Sequence, residues 1–588
     1  MKPMLLTMSE EIPRGKNWAY EIKYDGFRAI LQWTVDGITL TSRNGKNLSD
    51  QFPEILEIAK NTDKPELPIQ LDGELTILNT PYQANFSLLQ HRGRLKSKTK
   101  IEAASLKRPA TFMAFDMQIT PSATYDQRKK ALKTIVKSVS SPRLQYVEDF
   151  NQLDKIKELA FLHLAEGIVA KNKHSTYQEG KRSKQWLKIK QWRTVSGFLS
   201  DFHANNGYYH ANIWTGKKES SLGSFKHGLT AEEAQTLTAF YKKNGKNSGQ
   251  RWTLDPSICV DLHCLGAKDG ELREPLFSDF RFDLSHEECT AEKVKYDLAL
   301  MPEDAEITKP DKKLWPEVTK LDYLLYLRQI SPYQLPLLNN KKITLIRYPD
   351  GIHEKSFYQK HLPDYAPDYI QSWQEGEEFF ILANNLRSLL WMGNHGALEY
   401  HIPFQTVDSA FPDEIVFDLD PPDREHFQLA ILAAQLLKHL LDRMEVHSFV
   451  KTSGNKGIQI HIPLMPGSMS YEETRRFTEG LVRLLVKEEP RLFTIERLKK
   501  NRGNRLYLDY IQHAEGKTIV APYSPRATKE ATVAAPVYWE EVNETLHPTD
   551  FTIFNVVDRV KEYGCPFYEY SRKRQIQPVE VMKSLSVK

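Results

Sequence analysis

The chain has 588 residues, which at about 150 residues per domain speaks against one compact core and for several domains. Lys+Arg 80 against Asp+Glu 76 leaves a net charge of +4, so a histone-like polycation is excluded and any nucleic-acid contact must come from local patches. With 40% hydrophobic and 27% charged residues the composition is globular, which excludes wholesale disorder.

Taken in chain order, the N-terminal MKPMLLTMSEEIPRG lacks the apolar segment of a signal peptide. Residues 16–190 mix short alternating runs (GITLTSR, IQLDGELTIL, TFMAFDM, EGIVAK, WLKIK) with helical stretches such as QFPEILEIAK and LDKIKELAFLHLA, an α+β pattern. From about 194 to 285 the pattern is all-β apart from one predicted helix at TAEEAQTLTAFYKK, and a small barrel of the oligonucleotide-binding (OB) type fits. Residues 286–312 lose periodicity and carry the Pro- and charge-rich MPEDAEITKPDKK. A second α/β unit follows, with strands ITLIRY, EIVFDLD, IQIHIPL and RLYLDYI around helices at 425–443 and 470–488. The expected boundaries are 1–192, 193–288, a linker at 289–307, and 308–588. The longest apolar stretch, LAILAAQLLKHLL at 429–441, is interrupted by Lys438 and His439 and is too short for a bilayer, so no membrane partner is expected.

Four cysteines (Cys259, Cys264, Cys289, Cys565) without a CxxC pair exclude a disulfide scaffold and point to a reducing cytoplasm. Cys259, His263 and Cys264 lie close together in ICVDLHCL but lack the second ligand pair of a structural zinc site. Charge is uneven locally. Segment 171–193 holds eight Lys/Arg and one acid, with Trp186 and Trp192 interleaved, and segment 92–108 holds seven and one. A single such run reads as a solvated face; two in one domain favour a polyphosphate or a nucleic-acid backbone.

EIKYDGFR at 21–28 places Lys23 at the end of an apolar strand, before Asp25-Gly26, where glycine lets the backbone turn close to a ligand. In order follow SRNG at 42–45, LDGEL at 71–75, FMAFDM at 112–117, EGIVAK at 166–171 and WLKIK at 186–190. Together these six resemble the covalent nucleotidyltransferase superfamily of ATP-dependent DNA ligases, RNA ligases and capping enzymes, over essentially all of residues 4–190. A lysine attacks an α-phosphate only as the free amine, which requires neighbouring cations and partial burial. Lys188 and Lys190 are two apart and face one way on a strand, and Lys171 adds to the positive field. The resemblance implies ATP as cofactor and Lys23 as the adenylylated nucleophile. It places Glu21 beside the adenine, Arg28 and Arg43 near ribose and phosphate, Glu74 on the ribose hydroxyls, Phe115 stacked on the base and Glu166 on a divalent metal. On its own, Phe115 reads equally as a core aromatic. Arg281 and Asp283 match the last ligase motif, at the end of the barrel, while Leu284 stands where the family usually has lysine.

EIVFDLDPP at 414–422 puts Asp418 and Asp420 at i and i+2, on one face of a strand. Two acids so close call for a cation, and oxygen ligands favour Mg²⁺ or Mn²⁺ in a two-metal site for phosphoryl transfer. Asp509, ending another strand, is the third acid. In isolation the DxD reads as a surface turn before Pro421-Pro422. KTSGNKG at 451–457 suits a triphosphate cradle, though alone it also reads as a hairpin. With RYPDGI, LEYH, LDYIQ and APYSPRA, residues 308–588 resemble the archaeo-eukaryotic primase-like polymerase domain of bacterial end-joining ligases, and the domain order is that of the ligase D family.

That resemblance implies Asp418, Asp420 and Asp509 as metal ligands, with Ser453, Lys456 and Arg526 on the triphosphate of a (d)NTP substrate. His401 becomes a nucleotide neighbour, Lys312 and Lys320 hold a 5′-phosphate across a gap, and Phe357 stacks on a template base. Gln459 stands where the family commonly has a triphosphate-binding histidine, with His461 on the same strand face, and Gln512 replaces an arginine. The expectation is a multidomain α+β enzyme of the cytoplasm and nucleoid that fills and seals double-strand breaks, acting on DNA ends, nicks and gaps and recruited by a Ku homodimer. The alternatives are an RNA ligase or capping-type enzyme fused to a primase-like domain, and a scaffold with decayed sites.

Overall fold

The alternating runs of residues 16–190 fold into two five-stranded sheets. One runs in the order Leu5–Met8, Arg182–Lys190, Gly167–Asn172, Trp18–Lys23, Asp149–Phe150, and the other Gly37–Ser42, Phe27–Thr34, Ile69–Thr76, Thr111–Met117, Leu144–Tyr146. The computed structural model describes residues 2–61, 65–268 and 270–585. The chain divides into two units, Met1–Met301 and Pro302–Lys588. In the first unit, Leu31, Trp33, Leu71, Phe112 and Leu132 build one core on the second sheet. Tyr20, Ile22, Met113, Ile168 and Trp186 join the two sheets in another.

The strand Arg193–His203 is the spine of the barrel. It pairs with Tyr208–Thr215 on one edge and with Cys259–Cys264 and Arg251–Thr253 on the other, within a seven-stranded sheet that encloses Val195, Phe198, Leu222, Val260 and Leu262. The predicted helix spans Ala231–Asn244, where Thr230 and Glu233 cap each other's backbone N–H groups and Leu237 and Tyr241 reach the barrel core. The expected linker at 289–307 needs correction. Thr290 caps a helix at Ala291–Leu298 that buries Val294 in the barrel core with Ala291 and Leu298 against it, so the first unit runs to Met301. Apolar residues at i, i+3 and i+7 form one helical face there, concealed among charges.

The second unit has a four-stranded sheet, in the order Phe357–Gln359, Thr344–Arg347, Ala397–Pro403, Thr518–Val520. Its six-stranded sheet runs Phe493–Thr494, Leu506–Asp509, Glu414–Asp420, Ile458–Pro463, Phe449–Thr452, Pro536–Val537. The two expected helices span Phe427–Arg443 and Tyr471–Glu488 and pack on the central strands of the larger sheet. A third, Lys320–Leu338, went unpredicted. It is buried on nearly all sides and holds Pro332 and Pro336, so it shows neither an amphipathic stripe nor uninterrupted helix formers.

Candidate active sites

In the first unit, Lys23 ends its strand opposite Gly167, which is in turn opposite Lys190; Glu21, Val169 and Lys188 form the next such row. Directly paired residues project to one face, so the sheet gathers Glu21, Lys23, Lys188 and Lys190 together. Gly26 turns the chain over the neighbouring strand. A Cβ there would lie 2.3 Å from Leu75 O and 2.8 Å from Glu74 Cγ, so only glycine lets the Lys23 loop pass so close to Glu74.

Between the two sheets lies a half-open cleft lined by Glu21, Lys23, Arg28, Glu74, Phe115 and Lys171 over Ile22, Val169 and Trp186. Lys23 Nζ donates to Glu166 Oε2 at 2.5 Å. Burial pushes the Glu166 carboxyl up, against the pull of Lys23. Glu74 is half-buried, and burial pushes its carboxyl up to about 8 despite Lys23 and Arg28. Phe115 is the extra residue of a bulge between Asp72 and Gly73 of the partner strand, and its ring has Arg28 and Lys171 each 4.4 Å from its centroid.

Three expected residues sit differently. Lys171 is tied to Glu21 at 2.7 Å and lies over Trp186, so its charge is matched by Glu21 rather than offered to Lys23. Lys129 also holds Glu21, at 2.9 Å. Burial alone would raise the Glu21 carboxyl, yet the two lysines hold it below the usual range. Arg43 is exposed on the turn after its strand; its backbone N–H bonds Arg28 O, but its side chain does not line the cavity. Arg281 pairs with Asp261 and Asp283 on the barrel, and Leu284 packs against the barrel core where a lysine was expected.

Of the flanking lysines, Lys188 is pulled down by burial and by Lys23 and Lys190, while Lys190 pairs with Glu274. Sequence reasoning missed Asp72, which grips Arg28 with two bonds of 2.6 Å and accepts from Tyr177 Oη. It lies in the quoted LDGEL, two residues before Glu74, and the run thus carried its signal.

In the second unit, Asp418 sits mid-sheet with Gln459 opposite on one neighbouring strand and Asp509 on the other, and Asp420 faces Tyr507. Two carboxylates opposite each other repel. Burial, reinforced by Asp420 and Asp509, pushes the Asp418 carboxyl up to about 6, although the Gln459 amide, donating at 3.0 Å, opposes the shift. Asp509 Oδ1 accepts from the backbone of Ile511 and Gln512 at 3.1 and 2.9 Å. Asp420 is held by Lys456 at 2.9 Å and approached by Arg502 at 3.8 Å, and the three carboxylates do not converge to within 4.8 Å of one another.

The 453–457 loop folds back on the same strand. Ser453 Oγ accepts from Gly457 N at 2.9 Å, and a Cβ on Gly457 would lie 2.4 Å from Leu419 O, between the two aspartates. Lys456 also donates to Pro421 O and Pro422 O. Arg526 Nη1 donates to Ser453 O at 2.9 Å. Arg526 Nε lies 3.1 Å from Glu399 Oε2, which His401 also approaches at 3.1 Å. Glu399, missed from LEYH, is thus the hub that orients both. Burial works against its ionisation, but His401, Arg526 and the Ala527 N–H hold its carboxyl down at about 2.

His461 requires correction. It shares a face with Gln459 but lies one pair deeper, its Nδ1 2.9 Å from buried Glu414 and its ring against Phe567, away from the aspartates. Lys451, which sequence reasoning passed over, is fully buried and donates to Gln459 Oε1. That bond turns the amide nitrogen toward Asp418.

Lys320 is buried at a helix start, donating to Thr308 Oγ1 at 3.3 Å; burial and the nearby Lys312 and Lys309 pull it down. Lys312 pairs with Asp350 at 2.6 Å. Phe357 is exposed, with Arg347 4.8 Å from its ring centroid.

Family models match at both sites. Residues 3–190 match the ATP dependent DNA ligase domain, and residues 319–567 match the LigD primase-polymerase domain. The bifunctional non-homologous end joining protein LigD of Bacillus subtilis is 41% identical over 604 residues, covering 99% of this chain and 98% of that protein. The multifunctional non-homologous end joining protein LigD of Pseudomonas aeruginosa is 23% identical, over 97% of this chain and 72% of its own length. Among solved structures, the polymerase domain of Mycobacterium tuberculosis ligase D in complex with DNA covers 47% of this chain and all of its own at 25% identity, with a TM-score of 0.43. A mycobacterial DNA ligase D complexed with ATP and MES covers 49% of this chain and 97% of its own at 22% identity, with a TM-score of 0.30.

Proposed function

Since the chain belongs to the LigD family of bifunctional non-homologous end-joining proteins, we propose that its two sites are a Lys23 adenylylation centre and an Asp418–Asp420–Asp509 polymerase centre. It is an ATP-dependent DNA ligase with a primase-polymerase domain in ligase-then-polymerase order, and the RNA-ligase and scaffold alternatives fall away. Lys23 Nζ attacks the α-phosphorus of ATP; the N–P bond forms, pyrophosphate leaves, and the amine proton is lost. AMP then passes to a DNA 5′-phosphate, and the 3′-hydroxyl displaces it as the strand is sealed. Phe115 would stack on the adenine, with Glu74 at the ribose hydroxyls and Arg28 at the phosphates.

Glu166 fits a divalent cation, its carboxylate being paired with the amine that must be set free. Asp418, Asp420 and Asp509 fit Mg²⁺ or Mn²⁺, since they offer hard oxygen donors, with Asp418 and Asp509 directly opposite each other and Asp420 two residues along the same strand. Bound there, the cations would supply charge neutralisation for phosphoryl transfer. Ser453, Lys456 and Arg526 would take the triphosphate of a (d)NTP, with His401 held beside it by Glu399. Lys312 and Lys320 would grip a 5′-phosphate at a gap, and a Ku homodimer is the proposed recruiting partner.

The observation that carries the reading is the single cavity that holds Lys23 with Arg28, Glu74 and Phe115. The test is incubation with α-labelled ATP and then with a nicked duplex. Label should attach to the parent and leave as AMP on sealing. Label persisting in Lys23→Ala would overturn the assignment.

A further inference from the structure

Outside both centres, the barrel strand Arg193–His203 carries Asp201 and His203 on one face, and the next strand carries His210 opposite Asp201. The register shifts between Leu199 and Asp201, so Ser200 is an extra residue, and this bulge aligns Asp201 with His210. One ligand atom from each of the three lies within 4.8 Å of the others, the only such group of three or more among the described residues. Asp201 is buried, the histidines are half-exposed, and the imidazole centroids are 5.0 Å apart. Asp201 is fixed from behind: Ser200 Oγ donates to its Oδ2 at 3.0 Å.

We propose that Asp201, His203 and His210 form a site for a divalent transition-metal ion of the zinc class, clipping the two strands of this hairpin together. Two imidazoles and a carboxylate suit Zn²⁺ with a fourth position for water, whereas Mg²⁺ prefers oxygen ligands alone. Tetrahedral ligands about 2.0–2.2 Å from Zn²⁺ stand roughly 3.4 Å apart, so closure from the observed spacing needs shifts of about an ångström. Without a metal, Asp201 is held by Arg251, whose Nε and Nη2 lie 3.0 and 3.2 Å from its two oxygens, and His203 Nε2 lies 3.0 Å from its Oδ1. That arginine is 55% exposed and can swing aside, so it competes with the ion.

The test is titration of the chelator-stripped full-length chain with Zn²⁺ against a chromophoric chelator. The parent should bind one tight equivalent, retained in millimolar Mg²⁺, that His203→Gln/His210→Gln lacks, a weakening of more than about a hundredfold. Co²⁺ in its place should give d–d bands without a thiolate charge-transfer band. Arg251→Gln, which removes the competitor and leaves the ligands, should bind Zn²⁺ several-fold more tightly. Equal stoichiometry in parent and double variant, a thiolate spectrum, or unchanged affinity in Arg251→Gln would overturn the site.

Discussion

Glu74 faces Arg28 across two paired strands, and its carboxyl is raised from the ordinary 4.5 to about 8 by burial. Between those values the folded chain keeps a proton that the unfolded chain has released, so stability falls as pH rises through that window. Glu74→Gln removes the ionisation. At pH 8.5 it should be more stable than the parent by about 1–3 kcal/mol, and at pH 4 no different, in denaturant melts; an equal shift at both would signify packing instead. The same sign holds for Asp418, raised from 3.8 to about 6. Asp418→Asn should stabilise the metal-free chain near neutral pH by about 1–3 kcal/mol and end nucleotide addition. Mn²⁺ should raise the melting temperature of the parent and not that of Asp418→Asn, read by calorimetry with and without chelator. Lys23, Asp418 and Asp420 could be singled out as candidates because KYDG and DLD are short local runs, whereas Asp509 joins Asp418 only through strand pairing. Asp72 and Lys451 were not singled out although both lie in quoted runs, because each holds a side chain on a neighbouring strand and only pairing reveals which one; Glu399 sits two residues from His401 on the same strand, but its contact with Arg526 is made only by the fold. His461 misled because strand parity gives the face but not the depth.

Among elements, the 453–457 loop shows how backbone approach governs a site. Gly457 lies against Leu419 O, and its substitution by alanine needs backbone to move, since the clashing atom is a carbonyl in a central strand. Gly457→Ala should destabilise by about 1–3 kcal/mol and cut nucleotide addition at least tenfold, with Lys23 labelling unchanged. Gly480 is the contrast. It lies inside the helix Tyr471–Glu488 with nothing within 4 Å of an added Cβ, so Gly480→Ala should stabilise by about 0.5–1 kcal/mol without touching either activity. Melts of the two variants beside the parent check both signs. The same helix was read from sequence to within a residue because its apolar stripe faces the sheet and its other side is charged. Lys320–Leu338 and Ala291–Leu298 escaped for opposite reasons, one apolar nearly all round and one too short and charged to show its stripe.

At the scale of the whole molecule, the units Met1–Met301 and Pro302–Lys588 each have their own sheets, and each holds a complete set of proposed catalytic residues. None of the side chains proposed for adenylylation comes from the second unit, and none of those proposed for nucleotide addition comes from the first. Chemistry should therefore be separable by mutation within the intact chain. On a duplex with a one-nucleotide gap and a 5′-phosphate, Lys23→Ala should extend the primer and leave it unsealed. Asp418→Ala/Asp420→Ala should accept AMP at Lys23 and seal a nick, yet leave the gap unfilled. Mixing the two variants then decides how the steps are linked. If the filled nick is released before sealing, the mixture should restore sealed product at a rate that rises with the concentration of the ligase-competent variant. If product forms only when both intact sites share one chain, the mixture should stay unsealed while the parent seals. The first outcome is expected, because each centre is complete within its own unit. If sealing relies on lysine and arginine contacts to DNA phosphates, salt should weaken it steeply, because with a net charge of only +4 such contacts must come from local clusters. A gap-sealing time course at two salt concentrations, with each variant alone and with the pair, reads all of these outcomes on one gel.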